Sequence, residues 1–194
     1  MKHARTLLTS AALLGGLIAA LPAAAQSIVA TAPFGGIKLE GGGHVTLKHG
    51  SVQQVRLVKG STQYTRFTVD SDNPHTLRID ACNSDCPHQY DLEIEITSPS
   101  IDALAIEGGG SIVSEGTFPE LHQLNVAIEG GGVIDSRAMP SAAVNAAVEG
   151  GGVIRVKADN DLSAAVEGGG QITYWGNPKV SQAIEGGGKV ERGD

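Results

Sequence analysis

The sequence predicts an all-β chain wound as a parallel β-helix, a solenoid with coils of about 18–22 residues. Three observations carry that expectation. First, a Glu-Gly-Gly-Gly motif occurs six times: Leu39-Glu40, Ile106-Glu107, Ile128-Glu129, Val148-Glu149, Val166-Glu167 and Ile184-Glu185 are each followed by three glycines. Second, the last five glutamates are spaced 22, 20, 18 and 18 residues apart. Internal periods near twenty mark stacked units that cannot bury their apolar faces alone. Third, the apolar residues between motifs recur at every second position, which is the period of a strand. Leu124, Val126 and Ile128 share one parity with Ile134, and Val144, Ala146 and Val148 share it with Ile154 and Val156. Leu162, Ala164 and Val166 share it with Ile172. Helical spacing fits poorly, and three glycines in a row would break a helix.

Taken in order, residues 1–25 read as a signal peptide. Lys2 and Arg5 give a positive start, Leu7 to Leu21 is mostly apolar but short for a membrane span, and Ala23-Ala24-Ala25 offers a small-x-small cleavage site before Gln26. No Cys follows that site directly, which argues against a lipid anchor. No second apolar stretch of spanning length occurs, so no integral membrane segment is expected in the mature chain. The expected location is periplasmic or extracellular.

Residues 26–194 are expected to form a single domain with an irregular first half (26–100) and regular repeats (101–192). From Glu40 to Glu107 the motif is silent for 67 residues, roughly three coils. Val45, Leu47, Val55 and Leu57 read as short strands there, and Asp91 to Ile96 alternates between an acidic and an apolar face. Asn73-Pro74 and the cysteine loop read as turns. In the regular half, parity turns the first and third glycines of each motif inward, as at Gly130 and Gly132, and turns Glu129 and Gly131 outward. The residue after the glycines also faces out: His44, Ser111, Val133, Val153, Gln171 and Lys189. Glycine is then expected where opposing backbones approach or the chain bends. One lapse is Gln182, which falls on the inward parity. A leucine-rich repeat is excluded because its Leu-x-x-Leu-x-Leu pattern is absent. The calcium-binding nonapeptide repeat is excluded because its unit does not recur every nine residues.

The formal charge is −7, near −9 once Lys2 and Arg5 are removed. Such a chain suits calcium or a basic partner and is a poor candidate for nucleic acid or an anionic membrane.

Several segments resemble one family. Ile96-Thr97-Ser98-Pro99-Ser100-Ile101-Asp102-Ala103-Leu104-Ala105-Ile106, running into Gly-Gly-Gly, resembles the strand-Pro-strand-Gly-x-Gly signature of the head GIN domain, catalogued as autotransporter adhesin or DUF2807. Phe34, Ile37, Val45, Leu47 and Gly50 match its opening segment. Tyr174-x-Gly176-x-Pro178 with the final Gly-Gly-Gly-Lys-Val resembles its closing segment. The likeness covers roughly residues 30 to 192 and implies a right-handed β-helix, an extracytoplasmic location and a loosely adhesin-like role. Two features depart from it. Self-translocation, which needs a long C-terminal barrel, is not expected of a sequence ending at Asp194, and the residue before the glycines, usually variable, is Glu in all six copies.

Candidate sites follow from the repeat. With coils in register, Glu107, Glu129, Glu149, Glu167 and Glu185 form an outer column. Neighbouring carboxylates about 5 Å apart in water repel by roughly 0.8 kcal/mol before salt screening. A Ca²⁺ ladder would offset that repulsion. The plainer reading is a solvated acidic edge that blocks aggregation, with no cofactor required. Cys82 and Cys86 are expected to close a small disulfide loop in an oxidising compartment, because the alternative Cys-x₃-Cys-x-His88 metal reading has only three soft ligands. A glycan-cleaving site would draw on Asp70, Asp72, Asp159, Asp161, Arg155 and Lys157. These form no motif, and few aromatics are present to stack on sugars. His44, His49, His75, His88 and His122 show no ligand spacing. Tyr174-Trp175 is expected to cap the last coil. The expected function is an exported, non-catalytic adhesin-like binding or surface-structural module, able to oligomerise and recognising an envelope or surface glycan or protein. The alternative is a Ca²⁺-dependent glycan-binding or glycan-cleaving protein.

Overall fold

Every Glu-Gly-Gly-Gly motif in the computed structural model is a corner, at which one strand ends and the next begins. The structure describes residues 27–70, 75–83 and 85–194. The expected signal peptide, Asp72, the turn expected at Asn73-Pro74 and Ser84 of the cysteine loop lie outside them. The described residues are all-β. In chain order the strands are β1 (Ser27–Val29), β2 (Gly36–Glu40), β3 (His44–His49), β4 (Gln54–Lys59), β5 (Arg66–Val69), β6 (Thr76–Asp80), β7 (Glu93–Ser98) and β8 (Ala103–Gly108). They continue with β9 (Ser111–Glu115), β10 (Leu121–Gly130), β11 (Val133–Asp135), β12 (Ser141–Gly150), β13 (Val153–Gly168), β14 (Gln171–Trp175), β15 (Lys179–Gly186) and β16 (Lys189–Arg192).

Two faces result, joined through the long strand β13. Face A runs β1-β4-β7-β3-β9-β11-β13-β14-β16. Face B runs β5-β6-β2-β8-β10-β12-β13-β15. From β8 onward the pairing within both faces is parallel. It also keeps equivalent motif positions together, as in Ile106–Ile128–Val148–Val166–Ile184. The inward residues therefore stack into apolar columns. Ile79, Leu39, Ile106, Ile128, Val148 and Val166 line face B, and Ile94, Val45, Ile112, Ile134, Ile154 and Ile172 line face A; all are buried. Burying one such side chain contributes roughly 2 kcal/mol before entropy is subtracted.

The shortening from 22 to 18 residues is absorbed at the second corner of each coil. Residues 116–120 separate β9 from β10 and residues 136–140 separate β11 from β12, whereas β13 passes from face A to face B without a break. Phe118 and Met139 fill the two wide corners, and the buried Ala158 marks the tight one. The pairing of β12 with β13 shifts register there, between Ser141 and Ala143.

The irregular first half does not lay down its roughly three coils in chain order. Glu40 pairs in register with Glu107, so the 66 intervening residues leave the stack and return to it. On the way β4 and β5 run antiparallel to their neighbours, and β6 and β7 build one further coil beyond β2 and β3. The order along the stack is thus not the order along the chain. The physical cause is pairing: β2 and β3 each find a parallel partner on both sides, which a consecutive winding would not give them.

Two smaller expectations also change. Trp175 does not cap the last coil. β16 stacks on β14, so Tyr174 and Trp175 stand one layer below the end. The Trp175 indole donates to the Asp194 carbonyl at 3.0 Å, and the Arg137 guanidinium lies 4.9 Å over its ring. The glycines also divide three ways rather than two. A side chain on the third glycine would run into the core, as at Gly132, where a Cβ would stand 2.7 Å from Ile106. The first faces the neighbouring coil instead of the interior. Gly130 has φ +111°, and a Cβ there would lie 2.6 Å from the Gly108 carbonyl oxygen. The middle glycine, Gly131, has open space around it.

Alanine substitutions separate these roles. Gly130→Ala should destabilise by about 2 kcal/mol or more, through backbone strain and the lost approach to Gly108. Gly131→Ala should be neutral or stabilise by about 0.4–1 kcal/mol, by restricting the unfolded chain. Urea unfolding of both variants checks this, and equal losses at the two positions would refute the three-way division.

Candidate functional site

The outward residues of face B are the most regular surface of the molecule. Because coils pair in register, each outward position repeats as a column. Asn125, Asn145, Ser163 and Ser181 form one column; Ala127, Ala147, Ala165 and Ala183 form the next; Glu129, Glu149, Glu167 and Glu185 form the third. Adjacent rungs are about 4.8 Å apart. The alanines are too short to rise between their neighbours, so the face is a flat methyl floor between a polar row and an acidic row. Asn145 Nδ2 donates to Asn125 Oδ1 at 2.9 Å, which ties two rungs of the polar row together. A shallow open depression lies over Asn125, Ala127, Asn145, Ala147, Ser163 and Ala165.

The acidic row is longer than the sequence suggested. Glu107, Glu129, Glu149, Glu167 and Glu185 do stack in register. Glu40 and Asp80 extend the column beyond Glu107. That extension could not be found from spacing, because it depends on the return of the chain from β3 to β8. The two ends of the column differ. Lys38, in the register position of the alanines, bonds to Glu107 and lies 3.3 Å from Glu40. Arg78 lies 3.4 Å from Glu40 and 3.5 Å from Asp70. Glu129, Glu149, Glu167 and Glu185 make no ion pair among the described residues. No group of three or more metal-capable side chains converges on one point among the described residues. The carboxylates are therefore a line rather than a cage.

Other candidate residues are dispersed. Asp70 follows β5 at one edge of face B, whereas Asp159 and Asp161 lie in β13, next to the opposite edge strand. Six strand spacings separate them, about 29 Å. Arg155 stands in the stretch of β13 that pairs within face A, and Lys157 pairs there with Trp175. Asp72 lies outside the described residues. The glycan-cleaving constellation is thus not assembled from the parts that are described. The histidines are also scattered: His44 contacts Ser111, His49 tilts against Phe118, and His75 meets the Asp70 carbonyl.

Cys82 and Cys86 are joined by a disulfide. The loop they close sits where β6 turns toward β7, in the corner position the glycines hold elsewhere: Ala81 N–H donates to Glu40 O, and His44 N–H donates to Leu92 O. Around it the far end of the stack is covered by a polar network that sequence reasoning did not detect. Tyr90 donates its hydroxyl to Ser61 O at 3.0 Å and lies 2.7 Å from the Thr65 hydroxyl, and Tyr64 meets the Tyr90 ring edge-on at 5.6 Å. No short-range pattern links these residues; only the packed end brings them together.

Comparison with known proteins agrees with this architecture. The family model described as "Putative auto-transporter adhesin, head GIN domain" matches residues 33–123 and 120–178, well over half of the chain. A crystal structure described as a putative adhesin from Bacteroides fragilis is similar over 87% of this chain and 96% of its own, with 17% identity and a TM-score of 0.54. A putative adhesin from Parabacteroides merdae aligns over 88% of this chain and 96% of its own, with 14% identity and a TM-score of 0.43. No curated protein matches. Among the described residues no helix is long and apolar enough to cross a membrane.

Lys38 interrupts the floor of small residues, with Arg78 beside it on the next rung. Partial burial disfavours its charge, but hydrogen bonds to Glu107 and Glu40 outweigh that and hold its pKa above the ordinary lysine value. A raised lysine pKa means that folding favours the protonated form. Its contribution is complete below about pH 10.4 and is lost as pH rises through the higher folded value. Lys38→Gln should cost about 1 kcal/mol at low salt and less at high salt. The difference from the parent protein should shrink above about pH 10.4. Thermal melts across salt and pH check both, and a penalty independent of salt would refute the electrostatic role.

Proposed function

The chain belongs to the head GIN domain family, DUF2807, and on that premise we propose that it is an exported, non-catalytic binding module of the bacterial envelope or cell surface. We read its stack as a right-handed parallel β-helix, the hand that parallel strand crossovers take in about 98% of cases. The observation that carries the binding reading is the flat, three-column outer face of face B. A repeating floor of methyl groups lets an extended ligand lie close. The Asn/Ser row offers donors and acceptors at every rung, and the unpaired carboxylates of Glu129, Glu149, Glu167 and Glu185 attract hydroxyl, ammonium or guanidinium groups. A repetitive polymer, such as a surface glycan or an extended basic peptide, meets the same chemistry at each step and gains affinity through repetition. Calcium enters this reading as a bridge between a carboxylate rung and an anionic ligand, since hard carboxylate oxygens suit it.

Binding of the full chain to arrays of surface glycans and basic peptides, with EDTA or Ca²⁺ present, tests the proposal. Ala147→Arg, which raises a bulky side chain from the centre of the floor, should weaken binding at least tenfold without changing the melting temperature by more than a few degrees. Undiminished binding by this variant would remove face B as the site, and release of oligosaccharide products would replace a binding module with an enzyme. Export is checked by expressing residues 1–194 in a Gram-negative host. The chain recovered outside the cytoplasm should begin at Gln26.

A further inference from the structure

The two ends of the stack are finished differently. At one end the edge strands β1 and β5 are only three and four residues long. The cysteine loop and the Tyr64–Tyr90 network cover the adjoining layer. Short edges and polar covers are the usual protection of a sheet end. At the other end β15 is eight residues long and pairs, among the described residues, only with β13. Its inward side chains Val180 and Ile184 are each 39% exposed, whereas Leu162 and Val166, one coil below, are 1% exposed. Between them, also facing inward, stands the polar Gln182.

The order of residues in this strand is self-complementary. Reading outward from Gln182, Ser181 is matched by Ala183, Val180 by Ile184, and Lys179 by Glu185. We infer that the β15 end is a homodimer interface, in which β15 pairs antiparallel with β15 of a second copy across a two-fold axis through Gln182. In that register every pairing is favourable. Val180 of each copy covers Ile184 of the other, so the exposed apolar ends of both cores are closed. The two Gln182 amides face one another on the axis and can exchange hydrogen bonds. This gives the one polar residue on the inward parity a partner, and penalises any shifted register that would bury it alone. On the outer surface Lys179 of each copy lies beside Glu185 of the other. Glu185 has Glu167 on its other side, so the incoming ammonium offsets the repulsion at the end of the acidic column. The interface is isologous and closes at two copies, and the edge N–H and C=O groups of β15 gain the ladder partners they lack.

Sedimentation velocity and light scattering of the full chain from 1 to about 200 µM should show a species of twice the chain mass. Ile184→Lys should return it to monomer. Lys179→Glu and Glu185→Lys should each raise the dissociation constant at least several-fold, because each sets like charges opposite one another, and the double variant should restore it. Gln182→Cys should form an intermolecular disulfide on mild oxidation, because a residue on the axis faces its own copy. Val180→Cys should not, because its copy stands about 14 Å away, four residues along the strand. A monomer throughout this range, growth into open-ended oligomers, or equal cross-linking at positions 180 and 182 would each overturn the interface.

Discussion

The structure depends on a close approach of backbones at the glycine corners. Adjacent coils must turn within one strand spacing of one another, and they do so by hydrogen bonds from corner to corner. Gly131 N–H donates to Gly108 O at 2.8 Å, Gly151 to Gly130 at 2.9 Å and Gly169 to Gly150 at 2.9 Å. In the last four motifs the first glycine, Gly130, Gly150, Gly168 or Gly186, sits so near the preceding corner's carbonyl that no side chain fits between. This contact fixes the height of each coil and its phase. Once the corners are aligned, the inward Ile and Val columns and the outward Asn, Ala and Glu columns follow without further instruction. The regularity of the surface is thus a consequence of the backbone corner, and the identity of the outward residues is left free for other uses.

The regular half was legible because its information is local. Period two gave strands, the spacing of Glu107 to Glu185 gave stacked coils, and parity correctly separated Ile128 from Glu129. The first glycine was misassigned inward because alternation stops being a guide at positive φ, where the Cβ direction rotates toward the neighbouring coil. The first half was less legible for a different reason. Nothing near Glu40 in the chain shows that its neighbour is Glu107. That pairing is chosen by the fit of β2 between two coils contributed by later residues. The Lys38–Glu107 contact and the cover built from Ser61, Thr65 and Tyr90 were hidden by the same non-local choice. The cysteine pair could be read because the chain has only two cysteines and Cys-x₃-Cys-x-His88 offers only three soft ligands to a metal.

Face B combines two properties that follow from different parts of the sequence. Its flatness comes from the alanines opposite the core, and its charge comes from the glutamate that precedes every corner. Lys38 and Arg78 neutralise the column where the stack is covered, and the unpaired carboxylates lie toward the β15 end. The surface therefore has a direction, with a compensated end and an acidic end, although each coil is nearly a copy of the last.

The place of β2 and β3 between the β6–β7 coil and the β8–β9 coil also constrains the route by which the molecule assembles. A simple solenoid can grow from its N-terminus, each new coil laying itself on the one before. Here β2 and β3 gain one flanking layer from β6 and β7 and the other only from β8 and β9, so their place is complete only once residues as distant as Ser111 are available. On the proposed export route, in which the chain threads a translocation channel before it folds, late docking of the leading segment delays closure until much of the chain has crossed. The short, local coils from β8 onward can then wind quickly, because each closes on a neighbour only 18–22 residues away.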